Sequence, residues 1–410
     1  MRLLIISQYF LPESGAAAQR VGSFARYLSE FGHDVTVFCQ TPNYPTGVVY
    51  PGFKNKFRQV NQEGNYRVVR SLTYPTRNTG FVKRLVNYSI FSVTALLNGL
   101  FEPRPDLILI SSPPLFAGGS ALLLSLIKRV PLVVDVRDVW PGVALESGVG
   151  NRIVFSPLRL LEKILYRWAT LITTISEGMV DLLAEENGLD KGKVKAVYNG
   201  FDLKRFPALK NIAKTRGEKF SAIYSGTIGT QQRLDTLLEA AKILKENKKI
   251  SFLICGEGVE KDDLLRRIKI QKLNNIKFLG LLPYSESLAE VKKSDLGLVL
   301  LTRNKYNDPA LPSKAFDYCF SGTPVLASAG SFLKEFIDRE GIGFWVEPEN
   351  PRKLAEKISE ISELPKERLD RMGERGRALV QKIYNRENQA RKLERMLEKL
   401  ISRGNIKKHA

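Results

Sequence analysis

Short apolar runs alternate with helix-compatible stretches from the first residues onward. Residues 3–6 and 35–38 are rich in β-branched residues and Leu, and 16–31 between them carries a helical pattern, the βα alternation of a parallel sheet. The alternation continues through 107–110, 132–134, 171–175 and 194–197, so residues 1–205 read as one doubly wound, Rossmann-like domain. After Tyr198-Asn199-Gly200-Phe201-Asp202, a stretch rich in Lys and Ala leads to a second series at 220–224, 252–255, 276–279, 296–300 and 324–327. This series predicts a second Rossmann-like domain over 206–384. In the tail, Ala390, Leu393, Met396, Leu397 and Leu400 share one side of a helical pattern, so 385–410 reads as a terminal helix free to pack on either domain, including back across to the first.

A chain of 410 residues exceeds the usual size of one domain, in keeping with two α/β domains facing a central cleft where a ligand would sit. With 43% hydrophobic and 26% charged residues, it has enough apolar surface for real cores, which excludes a largely disordered chain. Lys and Arg number 63 against 43 Asp and Glu, a net charge of +20 that favours phosphate-bearing or anionic partners. Cys39, Cys255 and Cys319 are scattered and only His33 and His409 accompany them, so no zinc-type cluster and no disulfide framework is expected. The opening MRLLIISQYF reads as a buried strand rather than a leader, which predicts a cytoplasmic protein.

Ligands of open parallel sheets bind beyond the carboxyl ends of the strands, so the loops there carry the chemistry. The first, 12–18, contains Ser14 and Gly15 and small residues that let backbone N–H groups approach a phosphate; a bare turn fits the same residues. In the second domain Ser225-Gly226-Thr227-Ile228-Gly229-Thr230 follows a strand and precedes Arg233, but has neither Walker A nor dinucleotide spacing. Ser313 and Lys314 would open a helix, aiming N–H groups and an ammonium at one anion, with Asp317 one turn later placed to accept from ribose hydroxyls. Read singly, these three are also an N-cap, a solvated charge and a dipole partner.

The residues Gln8-Tyr9-Phe10-Leu11-Pro12-Glu13, Gly32-His33-Asp34-Val35-Thr36-Val37, Thr41-Pro42-Asn43-Tyr44-Pro45, Arg137-Asp138-Val139-Trp140-Pro141, Tyr198-Asn199-Gly200-Phe201-Asp202, and Pro312-Ser313-Lys314 with Ser321-Gly322-Thr323-Pro324-Val325 carry a resemblance over nearly the whole length. The chain resembles the retaining glycosyltransferases of family 4, with the GT-B fold, and is most similar to the bacterial branch of L-fucosamine-type transferases of O-antigen and capsule assembly. The resemblance implies a UDP-sugar donor of N-acetylated hexosamine type held mainly by the C-terminal domain and an acceptor bound by the N-terminal one. It places Gly15 toward the donor phosphate, Asp317 on the ribose, and the turn around Leu281 and Leu282 on the base.

Departures from that pattern matter. The family's paired Glu residues would fall at 309 and 317, where this chain has Pro309 and Asp317, with Asp308 adjacent. Its basic pair in the first loop of the second domain would fall near Thr227 and Gln232, leaving Arg233 and Lys314 to neutralise the diphosphate. Arg137 stands where a His is common, so Asp138 is the adjacent carboxylate, and Asp138 and Glu146 are candidate acceptor-side groups; Asp138 also fits a turn residue, and Trp140 fits core better than sugar stacking. Leaving-group charge develops in such a transfer and needs stabilisation, for which Arg233, Lys314 and a helix N-terminus suit. No Asp-x-Asp follows a strand, which favours transfer without a metal and without any cofactor.

Residues 51–100 hold eight cations against one acid, Glu63, with aromatics such as Phe53, Phe57, Tyr74, Phe81, Tyr88 and Phe91 interleaved, and lead into an uncharged run at 85–101. This reads as docking on an anionic membrane through residues 51–101, on the inner face of the cell membrane, where each near-surface cation contributes about 1 kcal/mol. A lipid-linked glycan acceptor would explain it; a solvated basic face would also produce it. No nucleic-acid-binding module accompanies the charge. Two rival activities share parts of the pattern: a UDP-sugar 2-epimerase of similar fold, and a basic binding protein without catalysis.

Overall fold

A computed structural model describes residues 1–13, 15–76, 80–146, 152–206 and 217–406. Ser14 of the first loop, Arg77 of the basic block, most of the Lys- and Ala-rich stretch and His409 lie outside the described residues. The chain forms two compact units, residues 1–198 with 386–410, and residues 199–385.

The first unit contains β1 (Arg2–Ile6), α1 (Ala16–Glu30), β2 (Asp34–Gln40), β3 (Arg58–Glu63), β4 (Tyr66–Ser71), α2 (Phe81–Leu100), β5 (Leu107–Ser112), α3 (Leu115–Lys128), β6 (Leu132–Val136), α4 (Gly142–Glu146), α5 (Arg152–Trp168), β7 (Leu171–Thr174), α6 (Glu177–Asn187) and β8 (Val194–Ala196). Its sheet runs β3-β4-β2-β1-β5-β6-β7-β8. All pairings are parallel except β3 with β4. The central strands β5 and β6 are buried at every position, as expected where helices cover both faces of a parallel sheet.

The sequence reading assigns no strands to β3 and β4. β3 is polar and takes the sheet's edge, where one side meets solvent and its alternation fades; only pairing with β4 makes it a strand.

The second unit contains β9 (Phe220–Ser225), α7 (Leu234–Ile243), β10 (Ile250–Cys255), α8 (Lys261–Ile270), β11 (Ile276–Gly280), α9 (Tyr284–Lys293), β12 (Leu296–Leu300), α10 (Ser313–Ser321), β13 (Val325–Ser328), α11 (Ser331–Glu340), β14 (Gly343–Val346), α12 (Pro351–Ser362) and α13 (Lys366–Lys382). The sheet order β11-β10-β9-β12-β13-β14 is wholly parallel. Chain order reverses on either side of β9, so the loops after β9 and β12 meet at a switch point, the usual ligand crevice of such sheets.

The last helix, α14 (Arg386–Ile406), belongs to the first unit. Its Ala390, Leu393 and Leu397 join the core that contains Val21, Phe24 and Leu28 of α1. Arg386 donates to Gln19 O and Ser23 Oγ, each at 3.1 Å, and His33 Nε2 lies 3.0 Å from Glu394 Oε1.

Candidate active site

Turns after three neighbouring strands of the second unit are joined backbone to backbone. Gly226 N–H donates to Cys255 O and Gly256 N–H to Gly280 O, both at 2.9 Å, so the turns after β9, β10 and β11 form one rim. A Cβ on Gly256 would lie 1.9 Å from Gly226 O, so only glycine permits this approach. Leu282 sits on the turn directly after Gly280 and is partly buried; Leu281 beside it is 53% exposed.

Helix α10 opens against this rim. Pro312 occupies its N-cap position and no side chain caps the first turn, which leaves the positive end of the helix to whatever lies beyond it. Lys314 reaches from that turn to Gly226, where an added Cβ would stand 3.0 Å from Nζ. The amine is buried without a hydrogen-bond partner, 3.9 Å from the centroid of the Tyr224 ring. Burial lowers its pKa to about 7, against a smaller opposing pull from Asp317. Tyr318 fixes the helix to the sheet: its hydroxyl accepts from Ser225 N–H at 3.0 Å and donates to Leu298 O at 3.1 Å. Asp317 accepts from Tyr284 OH at 2.5 Å.

In the second unit the structure thus brings Lys314 against Gly226, with Ser313 and Asp317 on the same opening turns of α10 and Thr227 exposed on the Gly226 loop. Arg233 stands at the N-cap of α7 with a left-handed backbone, φ 41°, and its Nε is 3.6 Å from Glu349 Oε1. A non-glycine residue in that conformation is held by its surroundings. Between β12 and α10, Asn307 Nδ2 donates to Gln231 Oε1 at 2.8 Å and to Thr302 Oγ1 at 2.6 Å, and Asp308 N–H donates to Asn304 O. This amide network holds the loop carrying Asp308 and Pro309. Sequence reasoning missed it, because Gln231 and Asn307 match no spacing motif.

In the first unit, Arg137 donates to Ser111 Oγ at 3.0 Å and to Pro113 O at 2.6 Å, so its guanidinium ties the turn after β6 to that after β5. Asp138 next to it is exposed, and Glu146 ends α4, also exposed. Trp140 packs edge-on against Phe155 with centroids 5.5 Å apart. Gly15 is the N-cap residue of α1, and a Cβ on it would touch Tyr44 at 3.7 Å.

Glu13, to which the sequence motifs assign no role, is a further buried carboxyl of the first unit. It is fully buried, and its Oε1 accepts from Gln40 Nε2, Asn43 N–H and Tyr44 N–H, each at 3.0 Å, while Oε2 has no partner. Burial raises its pKa, against these hydrogen bonds. Tyr9 and Tyr44 meet edge to face beside it, 5.2 Å apart.

The basic block is less free than its sum. Arg70 is buried and bonded to Glu63 at 2.7 Å, and Arg58 and Arg67 both pair with Glu102, an acid just beyond the counted block. These three cations of the 51–101 segment are thus paired within the first unit. Among the described residues, no helix is long and apolar enough to cross a membrane.

Two family models match the chain in tandem. The glycosyl transferase 4-like domain covers residues 15–200, and glycosyl transferases group 1 covers 206–379. The chain is 27% identical to the Escherichia coli (strain K12) protein WcaI, whose name gives it as a glycosyl transferase of colanic acid biosynthesis, over 89% of this chain and 93% of that one. It is 24% identical to the Pseudomonas aeruginosa glycosyltransferase WbjE, over 99% and 100%. Among solved structures, sucrose-phosphate synthase from Thermosynechococcus elongatus superposes with a TM-score of 0.79 at 17% identity, covering 98% of this chain and all of that one. Anabaena HepE in complex with UDP-glucose does so with 0.68 at 16%, covering 97% and 100%, and both show a shared fold. With a family domain model on each of its two units, the chain belongs to the GT-B glycosyltransferases of family 4 and is an enzyme.

Proposed function

We propose that this enzyme transfers a hexosamine-type sugar from UDP, with retention of configuration and without a metal ion, to a lipid-linked or polysaccharide-precursor acceptor of cell-surface glycan assembly. In that reaction the bond from the anomeric carbon to the diphosphate oxygen breaks and one to an acceptor hydroxyl oxygen forms. The hydroxyl proton leaves with the diphosphate.

One observation carries the donor side: a buried amine with no acceptor, held at the uncapped start of α10 beside the Gly226 turn. An unpaired buried amine is costly unless a ligand supplies the missing charge, and a diphosphate would. Arg233, by exchanging Glu349 for phosphate, adds a second cation. Gly226, Thr227 and Ser313 would approach the phosphates through backbone groups, Asp317 the ribose and the Leu282 turn the base. The HepE complexes with UDP and UDP-glucose, and the assignment of WcaI to colanic acid biosynthesis, support the choice of UDP and of a surface glycan. In the first unit, Gly15 would serve the donor, and Asp138, Arg137 and Glu146 the acceptor. The acceptor's lipid would hold the enzyme at the inner face of the cell membrane.

Calorimetric titration with UDP tests the site. Wild type should bind, and Lys314→Met and Asp317→Ala should each bind at least about tenfold more weakly, the scale of one lost charged contact. Unchanged affinity in both variants would remove the donor-site assignment. Transfer from a panel of UDP-sugars to lipid-linked acceptors in EDTA then tests substrate and metal independence.

A further inference from the structure

The three crossover helices α2, α3 and α5 pack side by side on the first unit. Ser92 and Ser120 join α2 to α3 through Ser120 Oγ donating to Ser92 O at 2.7 Å, and Trp168 Nε1 donates to Ser125 Oγ at 3.3 Å, joining α5 to α3. The side of each helix turned toward the unit is buried, at Phe91 and Ala95, Ala121 and Leu124, and Phe155 and Leu165. The other side of each is apolar too. Val93 and Leu97, Leu123 and Ile127, and Leu160 and Ile164 are exposed at 39% or more, and Trp168 is 51% exposed.

Charge sorts the same way. Lys83, Arg159, Lys163 and Arg167 are exposed on these helices, Arg84 is half-buried, and Lys128 is half-buried with its amine donating to Leu100 O and Glu102 O. The three helices contain a single acid, Glu162, and it is buried. Burial raises its pKa to about 7, so this carboxyl is only partly ionised near neutrality. A soluble helix layer ordinarily mixes both signs on its outer face. An apolar stripe edged only by cations instead matches an anionic bilayer, whose headgroups pair the cations while the interface takes the apolar side chains. A second copy on the same face would bring like charges together.

We infer that the outer face of the α2–α3–α5 layer is a docking surface for an anionic phospholipid bilayer. It deepens the membrane-side reading above and rests on it, while moving the contact: of the earlier 51–101 segment only α2 takes part, and α3 and α5 supply the rest.

The test is flotation of the full chain with phosphatidylcholine vesicles, with and without roughly 30% phosphatidylglycerol. Wild type should float with the anionic vesicles and be released by high salt. Leu160→Glu with Ile164→Glu, and separately Lys163→Glu with Arg167→Glu, should lower the partition coefficient by about tenfold or more. Brominated lipid should quench wild-type fluorescence more than that of Trp168→Phe. Wild type that stays in solution, or variants that float like wild type, would overturn the proposal. So would a dimer by light scattering that Leu160→Glu dissociates with flotation unchanged, which would assign the face to a second copy. UDP titration of the same variants should match wild type; loss of UDP binding by wild type with flotation intact would strike the donor reading alone.

Discussion

Lys314 holds its amine 3.9 Å from the centroid of the Tyr224 ring, buried and without a hydrogen-bond acceptor. The ring face attracts a cation, yet loss of water outweighs this and lowers the pKa to about 7. In the free enzyme near neutrality this amine is therefore poised between charged and neutral forms.

That poise predicts a pH dependence. A diphosphate stabilises the ammonium, so binding of a UDP-sugar takes up a proton wherever the free amine is neutral. Affinity should be level below pH 7 and fall above it, by up to about tenfold per pH unit. Calorimetry across pH 6 to about 9 checks this, with Lys314→Met expected to flatten the profile.

The same burial lowers stability. A Lys whose folded pKa lies below its unfolded value destabilises the fold at neutral pH, and the penalty disappears as pH rises through the unfolded value near 10.4. Lys314→Met should therefore raise stability at pH 7 by about 2–4 kcal/mol while weakening UDP binding, a trade seen where function needs a strained group. Denaturant unfolding of both proteins measures it.

Arg20 and Asp135 form a bidentate pair at 2.9 and 2.7 Å, both buried, with Thr173 donating to the same carboxylate. Burial opposes the charge on Asp135, but Arg20 and the hydrogen bonds outweigh it and lower the pKa. The stabilisation is present above the unfolded value and lost as pH falls through the folded one. Replacing one partner, as in Arg20→Met, should cost about 3–5 kcal/mol, and replacing both, Arg20→Met with Asp135→Leu, should cost less. Thermal unfolding of the three proteins distinguishes these outcomes.

Glu13 uses one oxygen for three donors and leaves the other without a partner. Glu13→Gln keeps the accepting oxygen and should stay within about 1 kcal/mol of wild type, whereas Glu13→Ala strands buried N–H groups and should cost about 2–4 kcal/mol. Stability from chemical denaturation, read beside transfer rates, separates holding the 41–45 loop from any use of the carboxyl's charge.

Arg233 shares its guanidinium with Glu349 across 3.6 Å, both side chains partly exposed. Removing the competitor, Glu349→Gln, should tighten UDP binding by about two- to threefold at low salt and less at high salt, as for any screened pair. An unchanged dissociation constant would separate Arg233 from the diphosphate.

Apolar periodicity alone placed most strands, because parallel strands covered on both faces leave long buried runs such as 107–110 and 132–134. It failed at β3, where an edge strand of mostly polar residues carries no such run. The small-residue turn after β9 and the start of α10 were legible because helix N-termini and such turns have local signatures. The amide network of Gln231, Thr302 and Asn307 was not, since Gln231 lies 71 and 76 positions from its two partners and meets them only on folding.

The sequence by itself determined the two βα series, the family, and which side chains near α10 could meet a diphosphate, since these depend on local pattern and residue chemistry. Tertiary structure decided what those side chains experience. Lys314 counts as one positive charge in composition, but packing against Tyr224 and loss of water bring its pKa to about 7. Arg58, Arg67 and Arg70 count equally with Lys163 and Arg167, yet the first three meet Glu102 and Glu63 and the last two face solvent beside exposed apolar residues. The total charge is additive along the chain; its availability depends on distance and solvent, which only the fold sets.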